Sequence, residues 1–261
     1  MPAGGAALAS LADADAVTLG DRPPIDSAKR LDRSLDDGRR TLSQFAPNLG
    51  RNVVGVFARE NLRPLLAGAA FTGIATRLDG GTARALRGRA EDLGELGRQA
   101  GTASTIGPLA LGLFVTGRAA SDPRFRGLTY DIAQATIVTG LYTEIFKRAA
   151  SRERPDGSDT RSFPSGHTSN AFAWAALAQH HYGTRIGVPA YAVAGLVGLS
   201  RIERDKHHLS DVVGGAALGF IVGRTVARED GEPVRRERRV SFVPMTDANG
   251  AGLGAGVHVA F

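Results

Sequence analysis

The chain has no cysteine in its 261 residues. Disulfides, thiolate catalysis and cysteine-ligated zinc are thereby excluded, while the redox compartment stays open, since envelope proteins often lack cysteine too. Aromatic residues are scarce, at 6%, and they are not interleaved with the basic ones. The net charge of +6 therefore does not describe a stacking platform for bases, and nucleic acid is not expected as a partner. Anionic lipid or a phosphorylated molecule suits that charge better. Long charge-free apolar runs are also few. A spanning helix needs about 20 such residues; residues 99–117 come close to that length, and the runs at 64–76 and 212–223 are shorter.

What is abundant is glycine, 34 residues, together with alanine, a composition that suits helices packed through small-residue contacts. One large domain with tails accounts for the length. Residues 1–60 are polar and only weakly periodic around 28–42, so a loosely ordered leader is expected there. Its first residues are small, as near a cleavage site, but it lacks a basic n-region and an apolar h-region, and no secretory signal is read. Six apolar segments follow, at 64–75, 106–115, 128–146, 169–180, 188–199 and 209–227, whose length and Ala/Leu/Gly content predict helices. The expected fold class is all-α, a six-helix bundle over residues 61–228 with a charged amphipathic segment at 82–99 between its first two helices. In residues 229–261, Arg235, Arg236, Arg238 and Arg239 form a basic run suited to solvent or lipid headgroups. Alternation of Val240, Phe242, Val257, Val259 and Phe261 around Asn249-Gly250 then predicts a C-terminal β-hairpin.

Three short segments carry the chemistry: Lys147 with Arg154-Pro155, then Pro164-Ser165-Gly166-His167, then Ser200-Arg201 with His207 and Asp211. They fall at the end of the third helix, the start of the fourth, the end of the fifth and the start of the sixth. In an up-and-down bundle those four ends share one side. A phosphate dianion calls for arginine forks and a lysine point charge, and Lys147, Arg154 and Arg201 are the candidates. Lys147 and Arg154 lie two helical turns apart and would share a face if the helix ran that far. The Ser165-Gly166 turn would offer N–H groups and a positive helix end, with the Ser165 hydroxyl as a further donor. His207 and Asp211, at i and i+4, set a carboxylate against an imidazole, so that one ring nitrogen keeps its proton and the other attacks phosphorus. His207 is the expected nucleophile, Asp211 its orienter, and His167 the general acid for the leaving group.

Each of these motifs alone says little, because a single His-x3-Asp pair on a helix is ordinarily a surface contact. Their joint order carries the reading. His180-His181 lack a carboxylate or third histidine at ligand spacing, so they read as a solvated helix end and no metal site is expected. His208 has no aspartate four residues on, and Glu203 to Lys206 read as a charged rim. Asp131 and Glu144 are left without a role.

Set in order, Lys147-x6-Arg154-Pro155, Pro164-Ser165-Gly166-His167 and Ser200-Arg201-x5-His207-x3-Asp211 resemble the three-part signature of the type 2 phosphatidic acid phosphatase (PAP2) superfamily. That superfamily also holds bacterial class A acid phosphatases and vanadium haloperoxidases. The likeness covers residues 60–228 and implies a six-helix PAP2-like core, a covalent phosphohistidine at His207, His167 as acid, and phosphate held by Lys147, Arg154, Ser165, Gly166 and Arg201. It implies a phosphatase without cofactor or metal, acting on a phosphomonoester or diphosphate such as phosphatidate or a polyprenyl diphosphate. A soluble periplasmic acid phosphatase and a vanadate-dependent haloperoxidase are the alternatives, the second disfavoured by the modest length. The short link from Pro155 to Pro164 argues against a large substrate-covering loop. With membrane association, the four catalytic ends face one side of a bacterial-type envelope membrane. Both termini face the other, flanked by Arg59, Arg63 and Arg235 to Arg239, which sets the site outside the cytoplasm.

Overall fold

A computed structural model describes residues 38–86, 103–231, 240–246 and 253–259. Its helices are α1 (Phe45–Gly55), α2 (Leu62–Thr76), α3 (Asp79–Leu86), α4 (Ala103–Ala119), α5 (Pro123–Ala150), α6 (Gly166–Tyr182), α7 (Thr184–Glu203) and α8 (Leu209–Gly231). The all-α expectation holds, and the six apolar segments are α2 and α4 to α8. Helix α3 begins the amphipathic segment. The remainder of that segment, the first 37 residues, the basic run and the Asn249-Gly250 turn lie outside the described residues. Strands β1 (Val240–Thr246) and β2 (Leu253–Val259) pair antiparallel, with Val240 opposite Val259 and Phe242 opposite Val257.

Helix α1 falls inside the stretch expected as a leader. Its fully buried positions are Asn48 and Asn52, and they sit beside a short apolar stripe in which Leu49 and Val53 pack half-buried against the core. Asn48 donates to the Tyr130 hydroxyl at 2.9 Å, and the Tyr142 hydroxyl donates to the Val53 carbonyl at 2.7 Å. These bonds tie α1 to α5.

Helix α5 starts at a built N-terminus, where the Asp122 carboxylate accepts from the Arg124 N–H at 2.9 Å and Pro123 opens the helix. It stops at Ala150 because Ser151 turns left-handed, at φ 41°. The helix therefore does not reach Arg154, and the expected shared helical face of Lys147 and Arg154 is not formed. The closest packing joins α6 and α8. A Cβ on Gly215 would stand 2.6 Å from the Ser165 carbonyl, one on Gly223 2.6 Å from that of Ala173, and one on Gly219 closer still to that of Ser169. Only glycine lets the two backbones touch this way. The contact sets the start of α6 against the start of α8.

Ile132, Ala135 and Val138 of α5, Ala173 and Leu177 of α6, and Leu218, Ile221 and Val222 of α8 form the core. Polar side chains join the helices inside it: Asn61 donates to Thr225 at 2.8 Å, Thr139 to Asn170 at 3.0 Å, and Trp174 to Thr136 at 3.0 Å. Large apolar side chains point outward instead, among them Leu66, Phe71, Leu111, Ile137, Val188 and Val193. An interior that mixes apolar side chains with many buried polar ones, under an exterior rich in large apolar groups, departs from the usual soluble arrangement. Two helical stretches, Thr184–Glu203 and Leu209–Arg228, are long and apolar enough to cross a membrane.

Candidate active site

The ends of α5, α6 and α7, the chain before α8 and the link after α5 surround a cavity of ≈ 690 Å³. Lys147, Arg154, Gly166, His167, Arg201 and His207 all line it. Six of the eight residues singled out in the sequence thus meet on one surface. Ser165 and Asp211 are fully buried behind that wall.

The turn after α7 brings Arg201 and His207 together. The Arg201 carbonyl accepts the N–H groups of Lys206 and His207 at 3.1 and 3.2 Å, and Asp205 takes a positive φ of 51°, which reverses the chain. Helix α8 then opens with a carboxylate cap: Asp211 accepts the His208 N–H at 2.8 Å, the reciprocal half of a capping box. The same carboxylate lies 3.8 Å from His207 Nδ1, beyond hydrogen-bond reach but close enough for its charge to act. Burial pushes the His207 imidazole below its ordinary value; Arg154 and Lys147 add to the shift, and Asp211 opposes it.

At the start of α6, the Ser165 N–H donates to the Asp211 carbonyl at 3.0 Å, and the Ser165 hydroxyl accepts from Thr168 at 2.9 Å. Both bonds fix the turn that presents Gly166 and His167 to the cavity. Arg154 is held by the folded link: its Nε donates to Asp159 at 2.7 Å and its NH1 to the Lys206 carbonyl at 3.0 Å. That hydrogen bond holds the Asp159 carboxyl below the usual carboxylate range. Short as it is, the link adds Ser158, Asp159 and Arg161 to the cavity wall. Lys147 Nζ donates to the Arg161 carbonyl at 2.9 Å, and Arg161 itself pairs with Glu144, which gives Glu144 a rim position. Lys206 of the expected charged rim pairs with Asp156 and also faces the cavity.

A second, apolar groove of ≈ 410 Å³ begins where the first cavity ends. Ile106, His167 and Asn170 line both, and Leu109, Ile132, Trp174 and Ala194 continue the groove between α4, α5, α6 and α7. Among the described residues, no group of three or more histidine and carboxylate side chains is placed to hold a metal ion.

Two charged residues at the site escaped the sequence reading. Arg152 donates to Asp211 at 2.7 Å and to Asp79 at 2.8 Å, and Asp79 in turn accepts the Ser210 N–H at 2.8 Å. A lone arginine and a lone aspartate 73 positions apart carry no periodic or motif signal. His181 is a correction: it does not end its helix in solvent, because its side chain is only 9% exposed and its Nε2 lies 2.7 Å from buried Asp131. A carboxylate fifty positions upstream is invisible to a search at ligand spacing.

Residues 129–230 match the family model described as the PAP2 superfamily. Over 80 residues, the chain is 48% identical to the lipid A 1-phosphatase of Porphyromonas gingivalis, an alignment that covers 30% of this chain and 18% of that protein. Over 131 residues, it is 29% identical to lipid phosphate phosphatase 2 of Arabidopsis thaliana, covering 34% of this chain and 45% of that one. The chain therefore spans less than half the length of either curated relative. Among solved structures, a transmembrane PAP2-type phosphatidylglycerolphosphate phosphatase from Bacillus subtilis is similar, with a TM-score of 0.50 and 25% identity over 67% of this chain and 94% of that one.

Proposed function

This chain belongs to the PAP2 superfamily through residues 129–230, and on that premise we propose that it is a metal-independent phosphatase of a membrane lipid phosphate or lipid diphosphate. One observation carries the reading: Lys147, Arg154, Gly166, His167, Arg201 and His207 line a single cationic cavity that continues, past His167, into an apolar groove. The phosphoryl group would lie among Lys147, Arg154 and Arg201, with the Gly166 N–H at the positive end of α6. Fully buried Ser165 would act by shaping that turn.

His207 turns Nδ1 toward Asp211, which leaves Nε2 to attack phosphorus. A P–N bond forms as the P–O bond to the leaving group breaks, and His167 delivers a proton to the departing oxygen. Water then attacks the phosphohistidine, His167 takes the water's proton, and cleavage of the P–N bond releases phosphate and restores the imidazole. Because His167 must touch the leaving oxygen, the organic part of the substrate lies on its side of the cavity. Beyond His167 and Asn170 the groove wall is mostly leucine, isoleucine, valine and alanine, which favours a hydrocarbon over a sugar or nucleoside. The apolar exterior of the bundle and its two long apolar helices support a place in the membrane of a bacterial-type envelope, with the catalytic helix ends facing outside the cytoplasm.

The test is phosphate release from phosphatidate and polyprenyl diphosphate by protein purified in detergent, with EDTA present. Turnover inhibited by vanadate, and acid-labile phosphate on wild type but not on His207→Ala, are the expected results. Strict dependence on added Mg²⁺, or full activity in His207→Ala, would overturn the reading.

A further inference from the structure

The signature stops at Asp211, but the structure continues behind it. Asp211 is fully buried, and both its oxygens are engaged away from the imidazole. Oδ1 accepts from Arg152 NH1 at 2.7 Å, while Oδ2 accepts from the His208 N–H at 2.8 Å and from the Ser162 hydroxyl. The other terminal nitrogen of Arg152, NH2, donates to Asp79 Oδ2 at 2.8 Å. One planar guanidinium thus bridges two carboxylates, a geometry that lysine cannot reproduce.

Asp79 opens α3, outside the three motifs and outside the matched family region. It is 9% exposed, and it accepts the Ser210 N–H at Oδ1 and the Ser210 hydroxyl at Oδ2, each at 2.8 Å. Ser210 lies in the first turn of α8, so Asp79 supplies a cap and a negative charge to that helix N-terminus from 131 positions away. That first turn also carries Asp211 and directly follows His207.

We propose that Asp79 and Arg152 form a positioning pair for the catalytic imidazole. Asp79 pins the first turn of α8, and Arg152 holds the Asp211 carboxylate at the separation that aligns His207. The proposal rests on His207 being the nucleophile. It assigns a role to the α2–α3 corner, which the signature does not include.

The two members act on His207 with opposite electrostatic sign. Lys147 from α5, Arg154 from the link, His167 from α6, Arg201 from α7 and Asp211 from α8 surround its imidazole. Glu144 of α5, Asp159 and Arg161 of the link and Lys206 before α8 line the same cavity, and none of these is altered in Arg152→Gln or Asp79→Asn. Loss of the Arg152 cation leaves the Asp211 charge less compensated, so His207 binds its proton more tightly and the acid limb of kcat/KM moves to higher pH. Loss of the Asp79 charge leaves Arg152 wholly to Asp211, and the limb moves to lower pH. A residue that only held the fold together would not produce opposed shifts.

The experiment uses the full chain in detergent micelles, with p-nitrophenyl phosphate as a soluble substrate and phosphatidate as a lipid one, across the pH range. Arg152→Gln is expected to lower kcat at least about tenfold with KM changed less than about threefold, and to raise the acid limb. Asp79→Asn lowers it. Arg152→Lys restores the position of the limb but not full kcat. Limbs that stay put in both charge-removing variants, or a loss carried by KM alone, overturn the proposal. Acid-labile labelling of wild type, absent in His207→Ala, is measured alongside. Failure of that labelling sinks the nucleophile reading itself, whereas labelled protein with unmoved limbs sinks only the positioning pair. If Asp79→Asn does not fold, Arg152→Lys against Arg152→Gln decides the matter through the same two readouts.

Discussion

At opposite ends of α5 and α6, roughly 24 Å apart along the helix, a histidine, an aspartate and an arginine meet twice. At the far end, Arg40 forks onto Asp131 at 2.8 and 3.0 Å and His181 closes on the same carboxylate at 2.7 Å. At the cavity end, Arg152 holds Asp211 at 2.7 Å, but His207 stands off at 3.8 Å among cations and faces open space. The residue types are the same and the expected consequences are not. A histidine clamped by its carboxylate is a fastener. One whose carboxylate is occupied by other donors keeps a ring nitrogen available for chemistry.

The sharpest way to break this comparison is to remove each histidine in turn. His207→Ala is expected to lower kcat by about 10⁴-fold or more, the scale seen when a nucleophile is deleted, while thermal unfolding in detergent changes little. His181→Ala is expected to do the reverse, leaving kcat within about threefold and costing about 1–3 kcal/mol of stability through a lost buried hydrogen bond. Equal losses of activity in the two variants would erase the distinction. Asp131→Asn probes the fastener from its other side. It leaves the Arg40 guanidinium, whose side chain is 11% exposed, facing a neutral amide, and a broken buried pair costs about 3–5 kcal/mol. A denaturation midpoint close to wild type would show that the far-end cluster is not structural.

The helix packing that separates the two ends gives a smaller effect. Gly219→Ala sets a methyl group against the Ser169 carbonyl, and overpacking of this kind costs about 1–3 kcal/mol. Because the same contact aligns the starts of α6 and α8, kcat should fall with it. Full activity together with lowered stability would show that the register of the two helices tolerates displacement.

The two clusters also mark how far the sequence could be read. The cavity end was legible because its members recur at fixed short spacings, Arg201 to His207 and His207 to Asp211, and because four helix ends must share a side in an up-and-down bundle. Six apolar segments were enough to foresee α2 and α4 to α8. The far end was not legible, since Arg40, Asp131 and His181 sit on separate elements with no spacing rule to connect them. Asp79 and Arg152 escaped for the same reason. Helix α1 went unseen because its apolar stripe is short, Leu49 and Val53, and its most buried positions are asparagines, whose fit depends on a tyrosine and a glutamine of α5. The stop of α5 at Ser151 left no mark either, as serine is neither glycine nor asparagine, the usual residues at a left-handed helix end.

The mildest test leaves every cluster standing and reads only the charge on His207. Under the proposed mechanism attack requires the neutral imidazole, so protonation of His207 would set the acid limb of kcat/KM. Burial holds that group below its ordinary value, with Arg154 and Lys147 pushing the same way and Asp211 pulling it up. The limb is therefore expected below about pH 6.5, the unperturbed histidine value. Neutralising a cation by Lys147→Gln should move it upward, and Asp211→Asn should move it further down while also lowering kcat. His181→Ala, at the other end of the bundle, should not move it at all. A limb that follows the far-end substitution and ignores Lys147 would mean that the titrating group is not the imidazole in the cavity, and the contrast between the two clusters would have to be redrawn.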